Sequence, residues 1–329
     1  MHMADALISP AVAGVMYAAS ASLAVYSVKK VREENNPKRI PLMGIMGAFV
    51  FAAQMLNFTI PGTGSSGHFC GSLLLSVLLG PYAGFLTMIG ILAVQCLLFA
   101  DGGILALGCN IWNMAFYGCF VSGLVFWHPV MRNGVSKRKI FWTSVAGSVI
   151  SLQLGAFSVV TETMISGITE LPFDVFISAM QGIHLVIGVV EGLITASVLI
   201  FIYEARPELL TGSLEKNFGR LGFGQTLLAL AGITALCAGG LSLAASENPD
   251  GLEWSLERVL GTSELSGDGY WYSVAESLQE ATAFLPDYAF PGSESMLGTV
   301  VSGLFGSLIV GLLCIFCCHF LKLFRDKTA

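Results

Sequence analysis

Long apolar runs recur along this chain with scarcely a charge inside them, and no other feature constrains its fold as much. The first run extends from about Leu7 to Val28, and others follow near 41–60, 69–79, 82–100, 104–127, 140–163, 177–203, 225–245 and 296–321. About 20 apolar residues suffice to cross the hydrocarbon layer of a bilayer as a helix. Backbone in lipid must satisfy its own hydrogen bonds, which leaves helices or closed barrels. The runs are continuous rather than alternating, so they are predicted to be helices. Charged residues make up 12% of the chain, against about 25% in a soluble domain. The net charge of −6 excludes the basic footprint of a nucleic-acid binder. All eight cysteines lie in apolar stretches, which excludes a disulfide framework.

The charges orient the runs. Of the 16 Lys and Arg residues, five fall in 29–39, four in 132–139, three in 204–220 and three in 322–327. Basic residues stay on the cytoplasmic side. Nine crossings, with the N-terminus outside and the C-terminus cytoplasmic, put all of these clusters inside. The remaining cation, Arg258, sits with ten carboxylates in the segment 246–295, which is predicted to be outside. The short run 69–79 ends at Gly80-Pro81, and without it every later segment would invert. A cleaved leader is not expected, since no basic residues open the chain. A polar linker, Glu204 to Gly224, divides a seven-helix core (1–224) from a two-helix module (225–329) with an acidic outer loop.

Candidate chemistry begins at the first two residues. His2 adjoins the α-amine of Met1, and an amine and an imidazole on neighbouring residues chelate metals, with the intervening amide nitrogen as a third donor. An all-nitrogen planar set suits Ni(II) or Cu(II). Six residues precede Leu7 and reach roughly 20 Å when extended, enough to fold back to the predicted outer loop 61–68, which ends in His68. On spacing alone an incidental terminal histidine is the better reading, because a two-residue cue is weak. Asp101-Gly102-Gly103, with Asn110 and Asn113 in the following run, could line an outer pocket or merely make a turn and interhelical hydrogen bonds.

His184 and Glu191 lie one heptad apart within a run and so share a helical face. They are expected to form a satisfied packing network rather than to act as direct ligands. Glu162 is a further intramembrane carboxylate, a residue type that marks function by default. Two stripes of small residues at spacings of four, Gly14-Ala18-Ser22 and Gly44-Ala48-Ala52, would let helices approach closely. They suit either packing within the chain or docking of a partner membrane subunit. Cys314, Cys317, Cys318 and His319 do not match a haem signature and are expected to pack in apolar surroundings. Gly62 to His68 mimics a P-loop but has His where the phosphate-binding Lys belongs, so no nucleotide is expected on this chain.

Several of these motifs together resemble a known family. Met1-His2-Met3-Ala4-Asp5 with Ser9-Pro10, Ser66-Gly67-His68, Leu79-Gly80-Pro81 and Gln95 through Asp101-Gly102-Gly103 are similar to the CbiM/NikM family. So are Leu107 to Asn110 with Asn113-Met114, and His184 with Glu191-Gly192. The match runs in order over roughly 1–203. Pro249-Asp250-Gly251-Leu252-Glu253 and Pro286-Asp287-Tyr288 resemble the small companion (CbiN/NikN-like) subunit, here fused to the core. The resemblance implies the substrate-capture component of an energy-coupling-factor importer for cobalt or nickel, in a prokaryotic cell membrane. It implies Ni(II) or Co(II) as transported substrate in a square-planar site. The ligands would be the Met1 amine, the main-chain nitrogen and ring of His2, and the ring of His68. It places Ser66, Asp101, Asn110, Asn113, His184 and Glu191 around that site. The implied partners are a transmembrane coupling subunit and two cytoplasmic ATPases, so the chain itself is not an enzyme.

Two rival readings use the same residues. Gly64-Ser65-Ser66-Gly67 fits a serine nucleophile motif, with His184 as base, for an intramembrane protease. A self-contained permease would instead employ Glu162 and Glu191.

Overall fold

The computed structural model describes residues 1–34, 39–211, 222–263, 265–293 and 295–325. Lys38, Lys216, Arg220 and Lys327 of the basic clusters lie outside them, as do the side chains of Cys318 and His319. Twelve helices and one small hairpin follow in order: α1 (Pro10–Glu34), α2 (Arg39–Gln54), β1 (Phe58–Ile60), β2 (Ser65–Gly67), α3 (Ser72–Leu79), α4 (Pro81–Phe99) and α5 (Leu107–Met131). Then come α6 (Lys137–Ser166), α7 (Phe173–Ala205), α8 (Glu208–Thr211), α9 (Phe223–Gly239), α10 (Gly251–Leu260), α11 (Tyr270–Thr282) and α12 (Met296–Arg325).

Among the described residues six helices are long and apolar enough to cross a membrane: α1, α4, α5, α6, α7 and most of α12. The parts Ile40–Gln54 of α2 and Phe223–Gly239 are apolar but shorter. The predicted run 69–79 yields only the eight residues of α3, roughly 12 Å of helix, well short of a bilayer core. Its role is nevertheless visible. His68 before it and Asp101 after α4 both meet the N-terminal residues at one end of the molecule, so α3 descends and α4 returns. Gly80, at φ +82°, makes the break, and Pro81 starts α4 at its first position, where its missing N–H costs nothing.

The N-terminal segment is threaded into the protein. Met1 is 4% exposed and Met3 and Ile8 are fully buried. Asn110 holds both backbone groups of Met3, accepting from its N–H at 2.7 Å and donating to its carbonyl at 3.2 Å. Asp5 accepts from the N–H of Ala106 at 2.9 Å just before α5. Gly103 is required for this fit, because a Cβ there would lie 1.8 Å from the Asp5 carboxylate.

Helices α6 and α7 form a close antiparallel pair. Gly188 and Gly192 face Val149 and Val145 with no room for side chains, and Gln153 and Gln181 exchange side-chain-to-carbonyl hydrogen bonds at 2.9 and 3.0 Å. Lys137 and Glu204 pair at the far end.

Helices α9 and α12 pack on α2, and this corrects the reading of the second small-residue stripe as an open docking face. A Cβ on Gly44 would lie 2.9 Å from the Ile315 side chain, Ala48 packs beside Gly311, and Ala52 is fully buried. The first stripe is the bare one: Gly14, Ala18 and Ser22 are all exposed. The cysteine cluster is divided, with Cys314 buried and Cys317 exposed.

Candidate metal centre

The β1–β2 hairpin pairs Phe58 with Gly67 and Ile60 with Ser65, so that His68 follows immediately after β2. Its Nε2 lies 3.0 Å from the Met1 nitrogen. The His2 ring stacks on the His68 ring, with centroids 5.2 Å apart and planes at 18°. The three residues named from sequence as metal donors are therefore in mutual contact, although 67 positions separate the ends of the set. His2 and His68 border an open cavity of about 930 Å³ that is also lined by Asp5, Asp101, Asp250 and Glu253.

Neither His2 ring nitrogen points at Met1. Nδ1 meets Asp101 Oδ1 at 3.0 Å and Nε2 meets Gln95 Oε1 at 3.2 Å. Bringing a ring nitrogen beside the amine requires the imidazole to turn away from those two partners. Gln95 is itself fixed, donating to Gln54 at 2.8 Å, and Gln54 donates to the Cys70 carbonyl at 2.7 Å. A buried amide relay thus ties His2 to the segment that follows His68.

Burial holds the His68 imidazole well below its usual 6.5, and the Met1 ammonium adds to the shift. His2 is also lowered by burial, which outweighs the opposing pull of Asp101. Burial thus favours the neutral form of both rings, the form that can ligate a metal. The Met1 ammonium donates to the Asp250 carboxylate. Burial would raise the Asp250 carboxyl, but the ammonium overcomes it and holds the group well below the usual carboxylate range.

The remaining residues have structural partners. Asp101 also accepts from the Tyr288 hydroxyl at 2.5 Å. Asn113 donates to Glu162 at 2.7 Å and to the Met3 sulfur at 3.5 Å. The expected His184–Glu191 network is not formed. Seven residues of helix separate the two by roughly 10 Å along the axis. His184 Nδ1 bonds the Met180 carbonyl at 2.8 Å, while Glu191 accepts from the backbone N–H groups of Cys70 and Gly71 at 3.0 and 3.1 Å. Glu191 therefore anchors the turn between His68 and α3. Ser66 donates to the Asn248 carbonyl at 2.8 Å, so neither it nor His184 is arranged as half of a nucleophile–base pair.

Sequence reasoning gave no site role to Asp5, Gln54, Gln95, Asp250 or Tyr288. The glutamines had a signal, since an amide inside an apolar run must find a partner. The two acids and the tyrosine stood in motifs that carry the family resemblance, without a role of their own.

Fold and site together define a multi-pass helical membrane protein with nitrogen and carboxylate donors gathered at one end of the bundle. Comparison with known proteins gives its family. Residues 2–209 match the family described as the cobalt uptake substrate-specific transmembrane region, to which the chain belongs, and residues 224–323 match the PDGLE domain. A putative fused nickel transport protein NikMN of Archaeoglobus fulgidus is 36% identical, over 94% of this chain and 95% of the relative. The fused nickel transport protein NikMN of Rhodobacter capsulatus is 28% identical over 94% and 95%. Among solved structures, one titled a transition metal transporter is 31% identical, with a TM-score of 0.56 over 67% of this chain and all of that one. A truncated transition metal transporter matches at 32% identity and a TM-score of 0.55, over 62% of this chain and 99% of that one.

Proposed function

We propose that this chain is the metal-capturing subunit of an energy-coupled importer for Ni(II) or Co(II). In this reading the core 1–224 takes the ion from outside the cell at Met1, His2 and His68, and the module 225–329 covers the entrance. A transmembrane coupling subunit and two cytoplasmic ATPases supply the energy. The observation that carries the reading is the 3.0 Å between the Met1 nitrogen and His68 Nε2. Two cis nitrogen ligands, each about 2.0–2.1 Å from a metal, lie roughly 2.8–3.0 Å apart. The pair is spaced for a metal to replace the proton between them. Among the described residues, the basic ones other than Arg258 lie at helix ends away from this cluster, which supports an outward-facing site.

One glycine added before Met1 tests the reading most sharply. It keeps every side chain but turns the amine into an amide, which binds metal far less readily. The glycine-extended protein, His2→Ala and His68→Ala are each expected to lose tightly bound metal while still inserting into the membrane. The measurement is metal content per chain after detergent purification with both ions offered. Full retention in the extended protein would remove the amine from the site.

A further inference from the structure

The module's outer loop does more than cover the core: it places one carboxylate on the proposed ligand set. Asp250 caps α10, and its two oxygens have separate tasks. Oδ1 accepts from the N–H groups of Leu252 and Glu253 at 2.7 and 3.0 Å. Oδ2 is thereby left to contact the Met1 ammonium, and it lies 3.8 Å from His68 Nε2. The loop is fixed on both sides of this residue. Pro249 accepts the Ser66 N–H at 2.8 Å, and Gly251 sits against His184 and Ile187, where a Cβ would come within 3.0 Å of both.

We propose that Asp250 is a positioning and charge-balancing residue of the metal site, holding the Met1 nitrogen over His68 and neutralising part of the ion's charge, so that the two fused modules build one site together. This rests on Met1, His2 and His68 being the donors. A carboxylate at this position attracts a divalent ion more strongly than the single charge of the ammonium. A coordinated amine also keeps N–H groups for Oδ2 to accept. Asp250 comes from a stretch whose other carboxylates bear no such contact with a proposed ligand among the described residues.

Asp250→Asn separates charge from capping, because asparagine caps a helix about as well as aspartate. In the full-length protein, Asp250→Asn is expected to weaken Ni(II) binding by about tenfold or more, with a smaller loss of melting temperature than Asp250→Ala because the cap is kept and only the ion pair with Met1 is given up. Asp250→Ala should lose both affinity and melting temperature. Glu257→Gln, on the exposed face of α10, serves as the silent control. A second readout does not use metal. A carbodiimide, which condenses touching carboxylates and amines with loss of water, should join Asp250 to the Met1 amine in the wild-type protein. After proteolysis, mass spectrometry would find the N-terminal peptide linked to the one containing residue 250. Wild-type Ni(II) affinity in Asp250→Asn, or no such link, overturns the proposal. If affinity is unchanged in Asp250→Asn while His68→Ala abolishes binding, the donor set stands and Asp250 alone is wrong. Tight binding by both His68→Ala and the glycine-extended protein instead overturns the donor set and this proposal with it.

Discussion

Two buried polar groups of this protein look alike in sequence and differ in what surrounds them. At one end of the bundle, Met1, His2 and His68 touch one another and side chains that can be exchanged: Asp101, Gln95 and Asp250. Deeper in, Glu191 binds two backbone N–H groups that have no alternative place to turn. Side-chain partners allow rearrangement around an incoming ion. Backbone partners fix a fold. Polarity inside a membrane protein is therefore a poor guide to function until the partner is known.

The largest expected effect comes from reversing those roles. Glu191→Ala leaves the N–H groups of Cys70 and Gly71 buried and unpaired, at about 1–3 kcal/mol each. It should lower the melting temperature markedly and loosen the turn that presents His68. His68→Ala should do the opposite, removing metal binding with little loss of stability. Thermal unfolding and metal content measured on both variants check this. Equal melting temperatures would erase the distinction.

The two small-residue stripes sharpen the comparison at an intermediate level. Gly44→Val drives a side chain into Ile315 and the Gly311 carbonyl, and overpacking of this kind costs about 1–3 kcal/mol. Gly14→Val meets nothing within 4 Å and should stay within roughly 0.5 kcal/mol of wild type. Thermal unfolding of the two single variants reads this difference directly.

The smallest effect is on pH dependence. His68 is buried neutral, with its pKa well below 6.5. The unfolded chain takes up a proton near pH 6.5 that the folded chain refuses, so stability falls as the pH drops below that value. His68→Gln should flatten the decline in melting temperature between about pH 7 and pH 5, although His2, also lowered by burial, leaves part of it. An unaltered slope would mean that His68 is not held neutral.

Much of the fold could be read directly. Eight of the nine apolar runs became helices of ten or more residues, because hydropathy and helix propensity act locally. The ninth, α3, was legible as a short element ending at Gly80-Pro81, and its helix is shorter still, eight residues. The proposed donors at Met1 and His2 were legible too, since an amine, an amide and an imidazole on two adjacent residues form a chelating pattern wherever they lie. The pairing of His184 with Glu191 was misread, because a shared helical face does not shorten the rise between two residues. The docking role given to Gly44, Ala48 and Ala52 failed for a related reason: spacing makes close approach feasible without naming the helix that approaches.

By itself, then, the sequence determined a membrane-embedded helical chain, the approximate course of its helices and the nitrogen-bearing residues at positions 1, 2 and 68. Each of these depends on residues near one another along the chain. Only the tertiary structure decided that Met1 is buried against His68, that α12 covers α2, that Glu191 serves Cys70 and Gly71, and that Asp250 reaches the amine from 249 positions away. Those contacts depend on how whole helices and loops pack. A carboxylate carries no local mark of the partner that packing will bring to it.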